Sequence, residues 1–233
     1  MEPMRGDAAV TTSRTAVAAL ADELRELILD ARLGPGIPLR EEALAAEHGV
    51  NRHTVRAALQ QLAAQRLVTF EPYRGARVRT FADADIRALM QYRAALEGEA
   101  VRLLRARTDA ADNPLPPAVV EANTRLRAVC TAHPHDHRSI ERAHAELHHA
   151  LVSSAGSPRI TEAHAGLESE LLLFLNQLRP LLPADEMADQ HDRLLEGIRT
   201  RGEPAIREHL AHSAEQLIAL NGGGAVPPRP IGA

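Results

Sequence analysis

The 233-residue sequence contains one cysteine (Cys130), no tryptophan, no lysine and only five aromatic side chains: Phe70, Tyr73, Phe81, Tyr92 and Phe174. One cysteine leaves no disulfide framework and no thiolate metal cluster, and in a helical run it reads as buried packing. With so few aromatics the core must be built from Leu, Ile, Val and Ala, which favours helices over β-sandwiches. Long apolar runs are missing as well. Ala16–Ala21 and Leu171–Leu175 are far too short to span a bilayer. The opening "MEPMRGDAAV" has an early acid and no long apolar segment, so no signal peptide is expected. These absences predict a cytoplasmic protein with no membrane partner.

Charge is present but unevenly spread. Between Asn51 and Thr80 stand six arginines (52, 56, 66, 74, 77 and 79) against one acid, Glu71. From Phe81 to Leu220 there are 15 arginines against 21 acids. A small basic segment joined to a larger acidic one suggests a polyanion-binding module carrying a sensor or partner domain. The missing lysine reads as genomic composition.

The periodicity predicts a mainly α chain. Residues 1–14 read as a disordered arm and 221–233 as a flexible tail. Val17, Leu20, Leu24, Leu27 and Ile28 form one face of a helix over about 15–31, which "LGPGIPL" breaks. A short helix over 40–48 stops at Gly49, suited to a left-handed cap, and Asn51 can cap the next, which runs to about Gln65. "LVTF-EPYRGA-RVRT" is a hairpin signal. The sum is a winged helix-turn-helix domain over 15–80. From 81 to 220 an all-helical bundle is expected, with six helices near 83–107, 117–132, 137–155, 158–179, 185–200 and 204–220.

"VNRHTVRAALQQL" is the candidate recognition helix. Arg52 and Arg56, four apart, share a face near its N-terminus. Arginine is the side chain best shaped for bidentate contact with guanine in the major groove. Asn51, His53 and Thr54 can add base-edge or phosphate contacts, Arg40 lies at the preceding helix start, and Arg74 sits at the hairpin tip. Each arginine alone could simply solvate an exposed surface.

Together, "LGPGIPLREEALAAEHGVNRHTVRAALQQLAAQRLVTFEPYRGARV" resembles the N-terminal domain of the GntR family of bacterial transcription regulators, over roughly residues 15–80. The resemblance implies operator DNA contacts at Asn51, Arg52, Thr54 and Arg56 and at the wing positions Arg74 and Gly75. Asn51 replaces the family's usual serine, Thr54 a common proline, Ala57 a glutamate and Arg66 a glycine.

In the second half, "HAELHHALVSSAG" holds three histidines within six residues. On an ideal helix His144, Leu147, His148 and Leu151 lie within about 80° of Ile140, whereas His149 falls opposite. His191 shares an inward face with Leu194, Leu195 and Ile198, and His209 lies beside Ile206 and Leu210, with His212 farther off that stripe. Four inward histidines need hydrogen bonds or a metal. Imidazoles at i and i+4 form a standard chelating pair. "HAELH" is not the H-E-x-x-H of metalloproteases, and Glu146 points away from the histidine face, which disfavours an enzyme.

"LHHALVSSAGSPRI" is similar to the "FHRAL…SGNP" stretch of the FCD effector domain in the FadR-like GntR subfamily. That resemblance implies a divalent metal at His144, which replaces an aspartate, and at His148, His191 and His209. The nitrogen-only set favours zinc, or nickel, over manganese. Because the segment between His191 and His209 is roughly one turn shorter than in the family, His212 is a back-up ligand. Six effector helices point to the shorter VanR-like branch.

Arg93 is the one cation on the stripe of Ile86, Leu89, Met90, Leu96, Ala100 and Leu103. It reads either as an anchor for an acidic effector or as an internal partner of Glu97. Asn176 is a weaker pocket candidate. The whole predicts a homodimeric, ligand-responsive regulator, likened to repressors by its family, that binds a metal and a small carboxylate. A regulator sensing metal itself or an apolar acyl effector is the alternative, with a metal-dependent enzyme behind it.

Overall fold

The computed structural model describes residues 6–107, 115–177 and 183–223, which form two compact units on either side of Thr80–Phe81. The first unit contains α1 (Gly6–Leu29), β1 (Pro38–Leu39), α2 (Glu41–His48), α3 (Arg52–Ala64), β2 (Val68–Glu71) and β3 (Gly75–Val78). Leu20, Leu24 and Ile28 recur at helical spacing on α1 and are at most 4 % exposed, as are Val55, Leu59 and Leu62 on α3. Burying each such side chain contributes about 1.5–3 kcal/mol. Gly49, with φ of +64°, ends α2 by letting the chain reverse toward α3.

The hairpin β2–β3 pairs antiparallel with Val68 opposite Val78 and Glu71 opposite Gly75. A short third strand, β1, joins its free side and gives the order β1-β3-β2. Val68, Ala76 and Val78 close the core under the sheet, while Phe70, on the same face but nearer the hairpin tip, stays 47 % exposed. The wing is therefore a rigid ribbon, held at one edge by hydrogen bonds from β1 that the sequence pattern did not announce.

The second unit consists of α4 (Asp83–Ala106), α5 (Pro117–Ala132), α6 (His137–Ser154), α7 (Pro158–Ala165), α8 (Glu168–Gln177), α9 (Ala184–Arg201) and α10 (Glu203–Gly223). Its central rod is α6, which packs against α4, α5, α7 and α8. A rod with that many neighbours must be apolar over a wide arc, and Ile140, Ala143, Leu147, Leu151 and Val152 supply it. On α9, a Cβ at Gly197 would stand 2.9 Å from the Cβ of Ala205, so glycine permits the close α9–α10 approach.

Three boundaries differ from expectation. The single helix predicted over 158–179 is two helices, because at Gly166 the amides bond back to Glu162 and, at Leu167, three residues back to His164, which tightens and ends α7. Seven helices rather than six thus make up the described part of this unit, and helix count gives no ground for a VanR-like branch. The expected disordered arm is helical from Gly6, since no Pro or Gly interrupts the run from Asp7 into α1. Residues 1–5 lie outside the described residues. At the other end α10 runs on to Gly223, and the remainder of the expected tail, 224–233, lies outside them too.

Candidate nucleic-acid interface and buried histidine centre

The first candidate site is a cleft of about 480 Å³ between the α2–α3 pair and the wing, lined by Arg40, Arg52, Arg56, Arg74, Gly75 and Arg77 among others. Asn51 positions it. In extended backbone at φ −80° and ψ 160°, its Oδ1 accepts the Thr54 amide at 2.9 Å and the Thr54 hydroxyl at 3.2 Å, which starts α3. Arg52 and Arg56 then project side by side, both exposed.

Each arginine already holds an acid. Arg56 donates from Nε and Nη2 to the two oxygens of Glu41, both at 2.8 Å, and Arg52 donates to Glu42 at 2.9 Å. The Arg56 hydrogen bond keeps the Glu41 carboxyl below its ordinary range. Pairs this exposed add little stability. They do fix the direction in which each guanidinium points, and Glu41 and Glu42 are participants that sequence reading missed. Arg77 is braced by the Gly36 carbonyl at 3.0 Å.

Thr54 is 6 % exposed, and its hydroxyl donates to Oδ1 of Asn51 at the start of α3. His53 is exposed on α3 but does not line the cleft.

The second site lies inside the helical unit. His144 and His148 on α6 and His191 on α9 each offer one ring nitrogen, all within 4.8 Å of one another. They are 1–5 % exposed. His209 on α10 stands beside them, its ring centre 5.0 Å from that of His191 and 5.8 Å from that of His148. Burial pushes the pKa of all four down, that of His191 to about 3, so the rings are neutral.

The tautomers follow from their partners. His148 Nδ1 lies 2.6 Å from Glu97 Oε2, and the Glu97 carboxyl stays ionised because Arg93 and the neighbouring imidazoles outweigh its burial. A carboxylate only accepts, so the proton sits on His148 Nδ1. His191 Nδ1 lies 2.7 Å from the Met187 carbonyl and must donate likewise. Both Nε2 atoms are therefore lone pairs, and they face each other at 3.2 Å. Two acceptors repel unless a cation lies between them. Two nitrogens on one tetrahedral zinc would be separated by about 3.3 Å, given Zn–N bonds near 2.0–2.1 Å. His144 Nδ1 is buried with no hydrogen-bond partner. The space enclosed by His144, His191, His209 and Arg93 is about 30 Å³, room for one water-sized species. The donor set fits a divalent metal, with Glu97 orienting a ligand from behind.

Arg93 is 2 % exposed. Its Nε donates to Glu97 Oε1 at 2.8 Å, Nη1 approaches the Met90 sulfur at 3.7 Å, and Nη2 has no partner among the described residues. Of the two sequence alternatives the internal pair with Glu97 is present, and it leaves one guanidinium donor over.

A model described as "Bacterial regulatory proteins, gntR family" matches residues 16–78, and one described as "FCD domain" matches residues 88–216. A Paraburkholderia xenovorans (strain LB400) protein, "Uncharacterized HTH-type transcriptional regulator BphR", is 32% identical over 220 residues, 91% of this chain and 87% of that one. The chain belongs to the GntR family. It is a transcriptional regulator with an FCD effector domain, not an enzyme.

A second relative, "Probable D-xylose utilization operon transcriptional repressor" of Paenarthrobacter nicotinovorans, is 29% identical over 223 residues, 91% of this chain and 95% of that one. Among solved structures, a GntR transcriptional regulator from Rhodococcus sp. RHA1 superposes with a TM-score of 0.69 at 24% identity, covering 90% of this chain and 99% of that one. E. coli McbR/YncC does so with a TM-score of 0.62 at 20% identity, covering 89% and 97%. These two share the fold.

Against this GntR framework the remaining expected residues sort themselves. His212, the back-up ligand, is exposed, because three residues past His209 rotates it off the inward face of α10. Asn176 is 6 % exposed, yet its neighbour Leu175 and not Asn176 lines the histidine cavity. His149 is exposed, as its helix phase predicts. Glu97 and His164, both buried and joined at 3.3 Å, were not picked out as site residues. The signal for Glu97 was present: an acid one turn beyond Arg93 on an apolar stripe. No helix is long and apolar enough to cross a membrane among the described residues.

Proposed function

We propose that this GntR regulator is a homodimer that binds a pseudo-palindromic operator and responds to a small carboxylate through a metal-holding FCD domain. The observation that carries the metal is the pair of opposed lone pairs on His148 and His191 at 3.2 Å. Zinc suits four neutral imidazoles, with nickel next. His144, His148, His191 and His209 would hold the ion, which would supply a Lewis-acid seat and a fixed charge. Arg93, with a free buried donor, would take the carboxylate.

Two-fold symmetry follows from the small base-reading surface of one winged helix, which gains specificity by engaging two half-sites. Arg52 and Arg56 would read base edges, while Arg40, Arg74 and the backbone at Gly75 engage the flanking backbone or groove. Repression is the expected sign, as the name of the Paenarthrobacter nicotinovorans relative states for that protein.

Elemental analysis of tag-free protein tests the metal. Stoichiometric zinc or nickel in wild type, lost in His148→Ala, is the expected result. Metal-free wild-type protein that takes up neither ion on titration would end the proposal. A second reading treats the ion as the signal itself, because the histidine cavity has room for one and for nothing organic. Operator binding titrated with zinc alone, then with acids present, separates the two.

A further inference from the structure

The tip of the wing reads "EPYRG". The Arg74 amide donates to the Glu71 carbonyl at 3.1 Å, closing a turn with Pro72 in second place and Tyr73 in third. Tyr73 has a φ of +64°. A turn with proline second and a positive φ third calls for glycine or asparagine, because left-handed backbone crowds a Cβ. This chain puts a tyrosine there.

Burial does not offset that cost. Tyr73 is fully exposed, although it is one of only five aromatic side chains in the chain. A strained position that the fold itself does not use points to function. Its place indicates the partner. Arg74 follows it, and the wing forms one wall of the arginine cleft that α3 borders on the other side. An α-helix such as α3 fits the major groove, about 12 Å wide. A hairpin beside that helix meets the adjoining minor groove, about 6 Å wide, which is too narrow for two strands but admits the edge of one ring. Arg74 suits the negative potential of a narrow minor groove. On the floor of that groove A·T pairs present only acceptors, whereas G·C pairs add the protruding N2 amino group of guanine. A ring edge with an O–H at its end can settle on the first floor and is obstructed by the second.

We infer that Tyr73, beyond the wing residues already named, is a specificity-determining residue. Its ring enters the minor groove beside the bases read by α3 and selects A·T over G·C pairs there. This rests on α3 being the major-groove helix. The strained turn holds the ring out from the hairpin.

Selection of bound sequences from a pool of random duplexes by the full-length protein supplies the probe. Affinities are then measured on the selected duplex with its flanking A·T pairs replaced by G·C or by inosine·C. Inosine lacks the N2 amino group, so its pair with C looks like G·C from the major groove and like A·T from the minor. Wild type should bind the G·C duplex about five-fold or more weakly, near the low end of the effect of one wrong base pair, and inosine·C should restore binding. Tyr73→Gly should erase that flank preference, keep the preference for the bases read by α3, and unfold at a higher temperature than wild type. Tyr73→Phe, which keeps the ring edge, should retain most of the flank preference. The inference is overturned by a wild type indifferent to the flank, by inosine·C behaving as G·C, by a preference that survives Tyr73→Gly, or by one lost as fully in Tyr73→Phe. A Tyr73→Gly protein less stable than wild type overturns it too, because the ring would then serve the fold. A pool that yields no common sequence at all removes the α3 reading along with it.

Discussion

Glu97 and His148 are joined by a 2.6 Å hydrogen bond across 51 residues of sequence, and the same carboxylate also binds Arg93 and His164. One acid thus sits behind the histidine cluster and behind the buried guanidinium of Arg93. Glu97→Gln keeps an acceptor for His148 but removes the charge that faces Arg93. Zinc affinity should fall about 10- to 100-fold, as for other second partners of ligating histidines. Stability should fall by about 3–5 kcal/mol from stranding a buried charge. Chelator competition and denaturant unfolding measure the two. Unchanged zinc affinity would remove Glu97 from the centre.

Acid should destabilise the metal-free helical unit in two stages. His144, His148, His191 and His209 have folded pKa values below the ordinary 6.5, so the unfolded chain binds more protons and stability declines as pH falls through about 6.5. Glu97, held well below 4.5, contributes stability present above that value and lost on further acidification. Thermal unfolding of chelator-treated protein between pH 8 and 4 is the measurement, and zinc should raise the midpoint by a similar amount from pH 8 to about 6, because its ligands are already neutral in the folded state. A midpoint independent of pH from 7.5 to 5.5 contradicts the neutral-cluster assignment.

Arg56→Lys should lose more operator discrimination than total affinity. Lysine retains the charge and the phosphate attraction but cannot reproduce the two-point fork that Arg56 shows toward Glu41. Loss of a bidentate base contact is worth about 1–3 kcal/mol of discrimination. Arg52→Ala should abolish operator preference with the fold intact. Competition between operator and random duplex at fixed salt reads both; unaltered preference in Arg52→Ala would displace α3 as the reading helix.

Asn51 and Arg66 predict stability changes of opposite sign in the winged unit. Asn51→Ala removes the cap on Thr54 and should cost about 0.5–2 kcal/mol, whereas Asn51→Ser, which keeps a capping oxygen, should be close to neutral. Arg66 occupies left-handed backbone at φ +58°, where the family usually has glycine. Arg66→Gly should stabilise by about 1 kcal/mol, the penalty a Cβ meets there. Chemical denaturation of each variant decides; a destabilised Arg66→Gly would mean that its side-chain interactions outweigh the backbone strain.

Much of this was readable along the chain. The leucine spacings of α1 and α3, the caps at Asn51 and Gly49 and the turn in "EPYRGA" are local signals, and each became the element it predicted. The inward phase of His144, His148, His191 and His209 was readable for the same reason, as was the outward phase of His149. Gly166 was not read as a break, because a single glycine in a helical pattern is often tolerated and the tightened hydrogen bonds around it depend on how α7 and α8 pack. The burial of Thr54 was not legible, because a hydroxyl at a helix start can serve the cap or face outward, and the packing of α3 decides which.

By itself, the sequence determined which segments are helices, which face of each is apolar, and which charges crowd the reading helix, since periodicity, caps and turns act over a few residues. Only the tertiary structure decided that Glu97 from α4 and His164 from α7 share a cluster with rings from α6, α9 and α10. Hydrogen bonds and lone-pair contacts reach about 3 Å. Which groups come that close is set by how rods far apart in the chain pack together, and no local pattern encodes it.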